Sequence, residues 1–450
     1  MRVIIIGAGE VGYHIAKFLG GEAVDVTVVD TDKDKLRRIS ESMDVAVVQG
    51  EGGSPEVLKE ARADGADMLL AVTNSDEANM IACLIGKAVF NIPRKVARIR
   101  NPEYLANRTL LGPDNLDIDP AISPEQEAGD AITRILEIPA VTDVVELEGG
   151  LLKVLGIKIS AESPLAGTTL KHILSTTEHR FLIGVVQRGT QVLIPSGKTR
   201  LQAGDIVHVP VAREQLSRTL AAFGFSLEPA KKVMIAGGGR IGFYVAQALE
   251  KLPDRTVQVK IVERDDARCK FLTDNLQRAV VLHGDGSDRE LLVEENIRDM
   301  DVFCAISNNE ELNIMASLLA RNLGVPKVIT VVNRTDYINL ANGLGIHTVL
   351  SPRLITAGTV LRYVRRGDVL ALTAIAENNA EIIEARVHAG SALDGKTLAK
   401  AGLPPNSLVG AILRDDQVLV PSGQDTIQTG DKLLFFTIST DIHRLETLLE

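Results

Sequence analysis

Tryptophan is absent from the 450 residues and aromatic side chains make up 3%, so any core must be aliphatic. Cysteine is scarce too. Cys83, Cys269 and Cys304 stand far apart with no C-x-x-C pair, which excludes a disulfide framework and a zinc site of ordinary spacing. Buried thiols in a reducing compartment fit this usage. No apolar run approaches the roughly 20 residues that span a bilayer, and no signal sequence precedes the first apolar segment. The expectation is a soluble intracellular protein. Positive charge is in deficit: the net charge of −10 argues against nucleic acid as a partner. Proton-relay chemistry is missing as well. None of the eight histidines has a histidine counterpart in the internal repeat set out below, and no nucleophile elbow is found. Nothing looks catalytic.

What is present begins at residue 1. Val3-Ile4-Ile5-Ile6 is a β-branched run of the kind buried on both faces of a parallel sheet. Gly7-Ala8-Gly9-Glu10-Val11-Gly12 follows with the spacing G-x-G-x-x-G, turning the chain into a helix over Glu10 to Leu19. In such a loop Gly7 permits the tight turn, Gly9 lets backbone approach a pyrophosphate, and Gly12 lets helix and strand pack closely. A second apolar strand, 23–29, ends at Asp30, 18 residues after Gly12. A dinucleotide fold puts there the carboxylate that binds the ribose hydroxyls of NAD or an adenosine, and that carboxylate repels a 2′-phosphate. An acid in this place could instead cap the next helix, although Asp32 is also placed to do so.

The unit occurs twice. Val233-Met234-Ile235-Ala236 and Gly237-Gly238-Gly239-Arg240-Ile241-Gly242 repeat strand and loop 230 residues further on, and 257–262 repeats the second strand, ending at Glu263. In the first copy the pattern continues with a helix over 33–42, a strand over 44–48, a turn at 49–54 and a helix over 55–63. Then follow a strand at 66–72, a helix from 73–76 to about 90, a strand at 95–99, a helix at 102–111 and a sixth strand at 115–118. The second copy places strands at 279–282, 301–306 and 327–332. Each copy precedes a smaller unit of short apolar runs broken by Gly, Pro, Asp and Ser. Segment 163–170 matches 391–398, and 183–205 matches 409–431 with 11 of 23 residues identical. The fold class expected is α/β: two doubly wound Rossmann-like parallel-sheet domains, each followed by a small α+β domain. The expected units are 1–138, 139–225, 231–366 and 367–450, with linkers near 138–143, 225–231 and 366–370.

Thr73-Asn74 and Ser307-Asn308 lie just past the fourth strands, where a ligand would sit, though the same residue types are preferred helix caps. Arg98 ends the fifth strand and could meet a phosphate; Val331 is its counterpart. Arg240 replaces Glu10 in the second loop, so the two sites should prefer different nucleotides. A helix near 352–366 carries Arg353, Arg362, Arg365 and Arg366, with Leu354, Leu361 and Val364 on another face. Solvation of the basic face is the simpler reading; docking on an acidic partner or an anionic membrane is the other.

The loops GAGEVGYHIA and GGGRIGFYVA, the acids Asp30 and Glu263, and the segments AVTNSDEANM and AISNNEELNIMA resemble the regulator-of-potassium-conductance (RCK) family. SPLAGTTL and IPSGKTRLQAGD resemble that family's smaller C-terminal domain. The resemblance covers nearly the whole chain. It implies a cytoplasmic regulator without enzyme activity, peripheral on the inner face of the plasma membrane. It further implies a homotetrameric ring beneath a separate potassium-translocating membrane subunit, with NAD/NADH and ATP/ADP as ligands. Carried over by motif, the first site comprises Gly7, Ala8, Gly9, Glu10, Val11, Gly12, Asp30, Thr73, Asn74 and Arg98. The second comprises Gly237, Gly238, Gly239, Arg240, Ile241, Gly242, Glu263, Ser307 and Asn308. The competing expectation is a soluble NAD-linked dehydrogenase with a duplicated Rossmann unit.

Overall fold

A computed structural model describes residues 1–20, 24–177, 179–189, 191–252, 257–346, 348–364, 369–375, 380–438, 444–445 and 448. The first copy runs β1 (Arg2–Ile6), α1 (Glu10–Leu19), β2 (Asp25–Asp30), α2 (Lys33–Ser42), β3 (Ala46–Gln49), α3 (Pro55–Glu60) and β4 (Met68–Ala71). It continues through α4 (Asp76–Ala88), β5 (Arg94–Arg98), α5 (Pro102–Ala106), α6 (Arg108–Leu111) and β6 (Ala121–Ile122) to α7 (Pro124–Glu137). Its sheet is parallel in the order β3-β2-β1-β4-β5-β6. The apolar run of β1 is buried on both faces as its composition demands. Val3 and Ile5 join the cluster under α1 and α2, while Ile4 and Ile6 join Leu58 of α3 and Cys83 of α4.

The first small domain comprises β7 (Asp143–Leu147), β8 (Leu152–Lys158), α8 (Leu170–Thr176), β9 (Val185–Arg188), β10 (Gln191–Leu193), β11 (Ile206–Ala212) and α9 (Leu216–Ala222). The second copy has β12 (Lys232–Ala236), α10 (Arg240–Lys251), β13 (Gln258–Glu263), α11 (Asp266–Asn275), β14 (Val280–His283) and α12 (Arg289–Glu294). After them come β15 (Val302–Ala305), α13 (Glu310–Asn322), β16 (Lys327–Val331), α14 (Thr335–Gly343), β17 (Val349–Leu350) and α15 (Pro352–Val364). Its strand order, β14-β13-β12-β15-β16-β17, repeats the first. The second small domain contributes β18 (Val369–Ile375), β19 (Ala380–Arg386), β20 (Ser407–Arg414), β21 (Gln417–Leu419) and β22 (Lys432–Ile438).

Both small sheets are antiparallel, in the orders β10-β9-β11-β8-β7 and β18-β19-β22-β20-β21. The matched Gly-Asp pairs have one structural task in each. Gly204 and Gly430 take φ of +93° and +92°, and the following Asp205 and Asp431 accept bidentate bonds of 2.7–2.8 Å from Arg188 and Arg414. The two small domains share an apolar core in which Phe436 lies against both Gly184 and Gly410; a Cβ on either would come within 2.3 Å of its ring.

Two sequence expectations are corrected. The sixth strand of the first copy is Ala121–Ile122, not 115–118. Leu116 and Ile118 are buried, which gives that segment its strand-like alternation, but Asp117 between them has φ of 51° and the stretch is bonded back to the end of α6. The helix at 102–111 is two helices, broken at Asn107, whose side chain caps the second.

Helix 352–364 packs through its apolar face. Ala357, Val360 and Leu361 are buried in the core of the first copy, against α1. Conversely α7, which leaves the first sheet, buries Ile132, Ile135 and Leu136 in the core of the second. The copies have exchanged their last helices. Arg365 and Arg366 lie outside the described residues, as do Ala23, His347 and His443. Among the described residues no helix is long and apolar enough to cross a membrane.

Candidate nucleotide sites

At the carboxyl end of the first sheet β1 turns into α1 through a loop shaped by its glycines. Gly7 has φ of +111°. A Cβ on Gly12 would stand 1.8 Å from the carbonyl oxygen of Gly7, so only glycine fits at this position in the first turn of α1. Gly9 differs: its backbone is extended and a Cβ there would meet nothing within 4 Å. The open space is a cavity of about 890 Å³. Gly7, Ala8, Gly9, Glu10, Val11, Asp30, Thr73, Asn74 and Arg98 line it, and Gly12 does not.

Asp30 and Asp32 divide the labour between them. Asp32 caps α2, accepting from the amides of Asp34 and Lys35. Asp30 holds the loop, its Oδ2 accepting from Ala8 N at 2.6 Å and its Oδ1 from Asp32 N at 2.8 Å. A similar division follows β4. Ser75 caps α4, while Asn74 accepts from Arg98 Nη1 at 3.0 Å. Arg98 is 8% exposed, and its Nε is enclosed without a hydrogen-bond partner. Burial, with Arg100 and Arg353 nearby and Glu125 opposing, brings its guanidinium down to about 10. A buried cation among like charges favours an anion.

The residue that sequence reasoning missed is Asn79. Fully buried on α4, it accepts from Thr73 N and Oγ1 at 3.0 and 2.7 Å and donates to the carbonyls of Thr73 and Arg98. Asn313 makes the same four contacts to Ser307 and Val331. The signal was available: a hydroxyl residue followed six positions later by Asn in both copies.

The second pocket, about 480 Å³, is lined by Gly237, Gly239, Glu263, Ser307 and Asn308 among others; Gly238, Arg240, Ile241 and Gly242 do not line it. Glu263 copies Asp30, accepting from Gly238 N at 2.7 Å and from the amides of Arg264 and Asp265. Arg268 lies over the loop, donating to the carbonyls of Gly238 and Gly239 at 2.6 and 3.1 Å and stacking 4.3 Å from the Phe271 ring centroid.

Arg240 and Ile241 line a third cavity, about 540 Å³, between the two copies. It shares Val11, Arg98, Arg100 and Arg353 with the first pocket, and Gly239, Arg268, Ser307 and Asn308 with the second. Five arginines therefore surround one space, with Glu125 the acid among its lining residues, 3.4 Å from Arg100. The arginines that distinguish the two sequence motifs, Arg98 in one and Arg240 in the other, converge here.

Elsewhere the thiols offer no nucleophile: all three are buried, and burial pushes Cys83 and Cys304 up to about 12. Among the described residues no group of His, Cys, Asp or Glu could hold a metal ion.

The TrkA-N domain model matches residues 3–124 and 233–352, and the TrkA-C domain model matches 154–224 and 382–450. The Trk system potassium uptake protein TrkA of Halomonas elongata is 38% identical over 456 residues, covering 99% of this chain and 98% of its own. That of Azorhizobium caulinodans is 37% identical, covering 100% of this chain and 98% of its own. Among solved structures, the GsuK RCK domain superposes with a TM-score of 0.61 at 19% identity, covering 100% of this chain and 94% of that one. The GsuK channel bound to NAD gives 0.61 at 20%, covering 100% and 78%. The relatives are potassium uptake proteins, which places the chain in a transport system rather than among dehydrogenases. With two TrkA-N and two TrkA-C domains in tandem, the chain belongs to the family of Trk system potassium uptake proteins TrkA.

Proposed function

We propose that the chain is a nucleotide-responsive regulatory subunit that controls a separate potassium-translocating membrane subunit. On this reading it works as a homotetrameric ring, peripheral on the cytoplasmic face of the membrane. The nucleotide-binding units are 1–138 and 231–366, and the small units are 139–225 and 367–450. NAD or NADH occupies the first site, held by the loop Gly7 to Gly12, Asp30, Thr73, Asn74 and Arg98. ATP or ADP suits the second, where Gly237, Gly239, Glu263, Ser307 and Asn308 line a smaller space. A GsuK channel has been solved with NAD.

The observation that carries this reading is the arginine-lined cavity between the copies. A nucleotide acts on a ring only through differential affinity for two arrangements of it. Phosphate charge delivered to this cavity from either pocket changes the repulsion between copies, and so their spacing. Exposed apolar residues at equivalent helix positions, Ile81 (46%) on α4 and Met315 (62%) on α13, suit assembly with further copies.

The test is calorimetric titration of the full chain carrying Glu263→Ala, which leaves the first site intact, with and without Arg240→Ala. Loss of roughly tenfold in NADH affinity, as expected for one charge-assisted contact, supports delivery of charge across the copies. Unchanged affinity overturns it. Light scattering that finds only a monomer would remove the ring.

A further inference from the structure

Equivalent positions at the start of β5 and β16 carry basic residues. Arg94 pairs in register with Met68, and Lys327 with Val302. Each reaches the chain where an exchanged helix ends. Arg94 Nη1 donates to the carbonyl of Tyr363, at the end of α15, at 2.9 Å. Lys327 Nζ donates to the carbonyl of Val141, between α7 and β7, at 2.6 Å. Through this bond the second nucleotide domain holds the root of the first small domain.

The surroundings of Lys327 make its joint unlike the other. Part of the side chain is exposed, but its ammonium is enclosed. From β7 it faces Asp143, whose Oδ1 lies 3.4 Å from His208 Nε2 on β11 and whose Oδ2 accepts from Thr142 Oγ1 at 2.7 Å. A Cβ on Gly156 would stand 2.0 Å from that Oδ2, so glycine is what lets the carboxylate lie over β8. From β15 it faces Cys304.

We propose that the Lys327–Val141 contact is a proton-controlled joint, through which the first small domain docks more firmly on the second nucleotide domain when Lys327 gives up its proton. Burial brings the lysine down to about 8, against the pull of Asp143 and Cys304. Undocking returns the ammonium to water and to an ordinary value near 10.4. Between those values the undocked arrangement binds more protons, so rising pH favours docking, by about tenfold from pH 7 to pH 9. Asp143 and Cys304 stay fixed in this window. For Asp143, burial opposes ionisation but His208, Thr142 and Lys327 outweigh it and keep the carboxyl below its ordinary range, while Cys304 is pushed up to about 12. Arg94 keeps its charge throughout, so the matching joint of the other copy does not respond.

The experiment uses the nucleotide-free full chain, so it stands apart from any reading of the nucleotide sites. Spin labels at Leu174→Cys on α8 and Val293→Cys on α12, both exposed and on the two bodies concerned, report their separation; the native cysteines are buried. The docked-to-open ratio should rise about tenfold between pH 7 and pH 9. Lys327→Met should remove the slope and hold the high-pH ratio throughout; Lys327→Arg should remove the slope without reaching it. A wild-type ratio that does not move, or a slope that survives both substitutions, overturns the proposal.

Discussion

The two nucleotide pockets have the same strand order, the same left-handed first glycine and an acid holding the loop in each, and yet one encloses about 890 Å³ and the other about 480 Å³. The side chains that the second helix brings to each pocket differ. In the second copy Arg268 folds onto the loop carbonyls and stacks on Phe271. Its counterpart Lys35 is exposed and paired with Asp32 at 3.3 Å. The duplicated backbone is a scaffold; the walls of each pocket are set by residues the motif leaves open.

The largest expected effect concerns whether the copies are separable at all. Each lends the other a helix, so a chain cut to 1–222 loses Val360 and Leu361 from its core, about 1.5–3 kcal/mol each. It also leaves Ile132, Ile135 and Leu136 uncovered. Since whole domains are stable by about 5–15 kcal/mol, fragments 1–222 and 231–450 should aggregate or melt early when made alone and copurify when made together. Circular dichroism showing either fragment melting like the full chain would break the picture of exchanged helices.

Next in size is the third glycine of each loop. Gly12→Ala and Gly242→Ala would put a methyl 1.8 and 2.2 Å from a backbone oxygen. A loss above about 3 kcal/mol is expected in chemical denaturation for either copy. Asn79→Leu should cost about 2–4 kcal/mol, because it strands buried polar groups at the ends of β4 and β5. Asn313→Leu should match it; a mild effect in one copy alone would show that the copies differ in scaffold and not only in walls.

What was legible in the sequence follows from this division. Strands such as β1 and β12 are buried on both faces, so their identity is written in consecutive apolar residues, all of them β-branched in β1. The glycine loop and its acid are local and were legible with them. The exchange of α7 and α15 was not, because a stripe such as Ile132, Ile135 and Leu136 announces that a face is buried and says nothing of what covers it. The convergence of Arg98 and Arg240 was hidden for the same reason. Read along the chain they looked like an asymmetry between two sites, and only the packing of one copy on the other brings them to one cavity. The sixth strand failed differently: two buried side chains flanking a left-handed Asp117 imitate a strand while belonging to a turn.

Asp30→Ala and Glu263→Ala compare the sites by affinity. Each removes a carboxylate from its own pocket, so roughly 1.5–3 kcal/mol, or 10- to 150-fold, should be lost there alone. Each acid also accepts an amide of its loop, from Ala8 or Gly238, so thermal melts should accompany the titrations. In calorimetry the Glu263→Ala chain should retain NADH, and the Asp30→Ala chain should retain only the adenosine phosphates. Identical preference in both chains would dissolve the distinction between the pockets.

The smallest effect on stability carries the sharpest comparison. Gly9 and Gly239 are extended, with φ of −68° and −60°, values that alanine adopts without strain, and a Cβ on either meets nothing within 4 Å. Alanine there should stabilise the chain slightly, by about 0.4–1 kcal/mol, because the unfolded chain loses freedom while the folded one loses nothing. If the empty space is where a pyrophosphate rests, the same methyl must stand in its way, and affinity should fall as stability rises. That opposition of sign separates a ligand loop from a structural one. For Gly9→Ala, a higher melting temperature with weaker NADH binding is expected. For Gly239→Ala the outcome decides what the second loop is: weaker ATP or ADP binding marks it as a working phosphate loop, whereas a gain in stability with titrations unchanged marks a retained turn whose task has passed to the arginines between the copies.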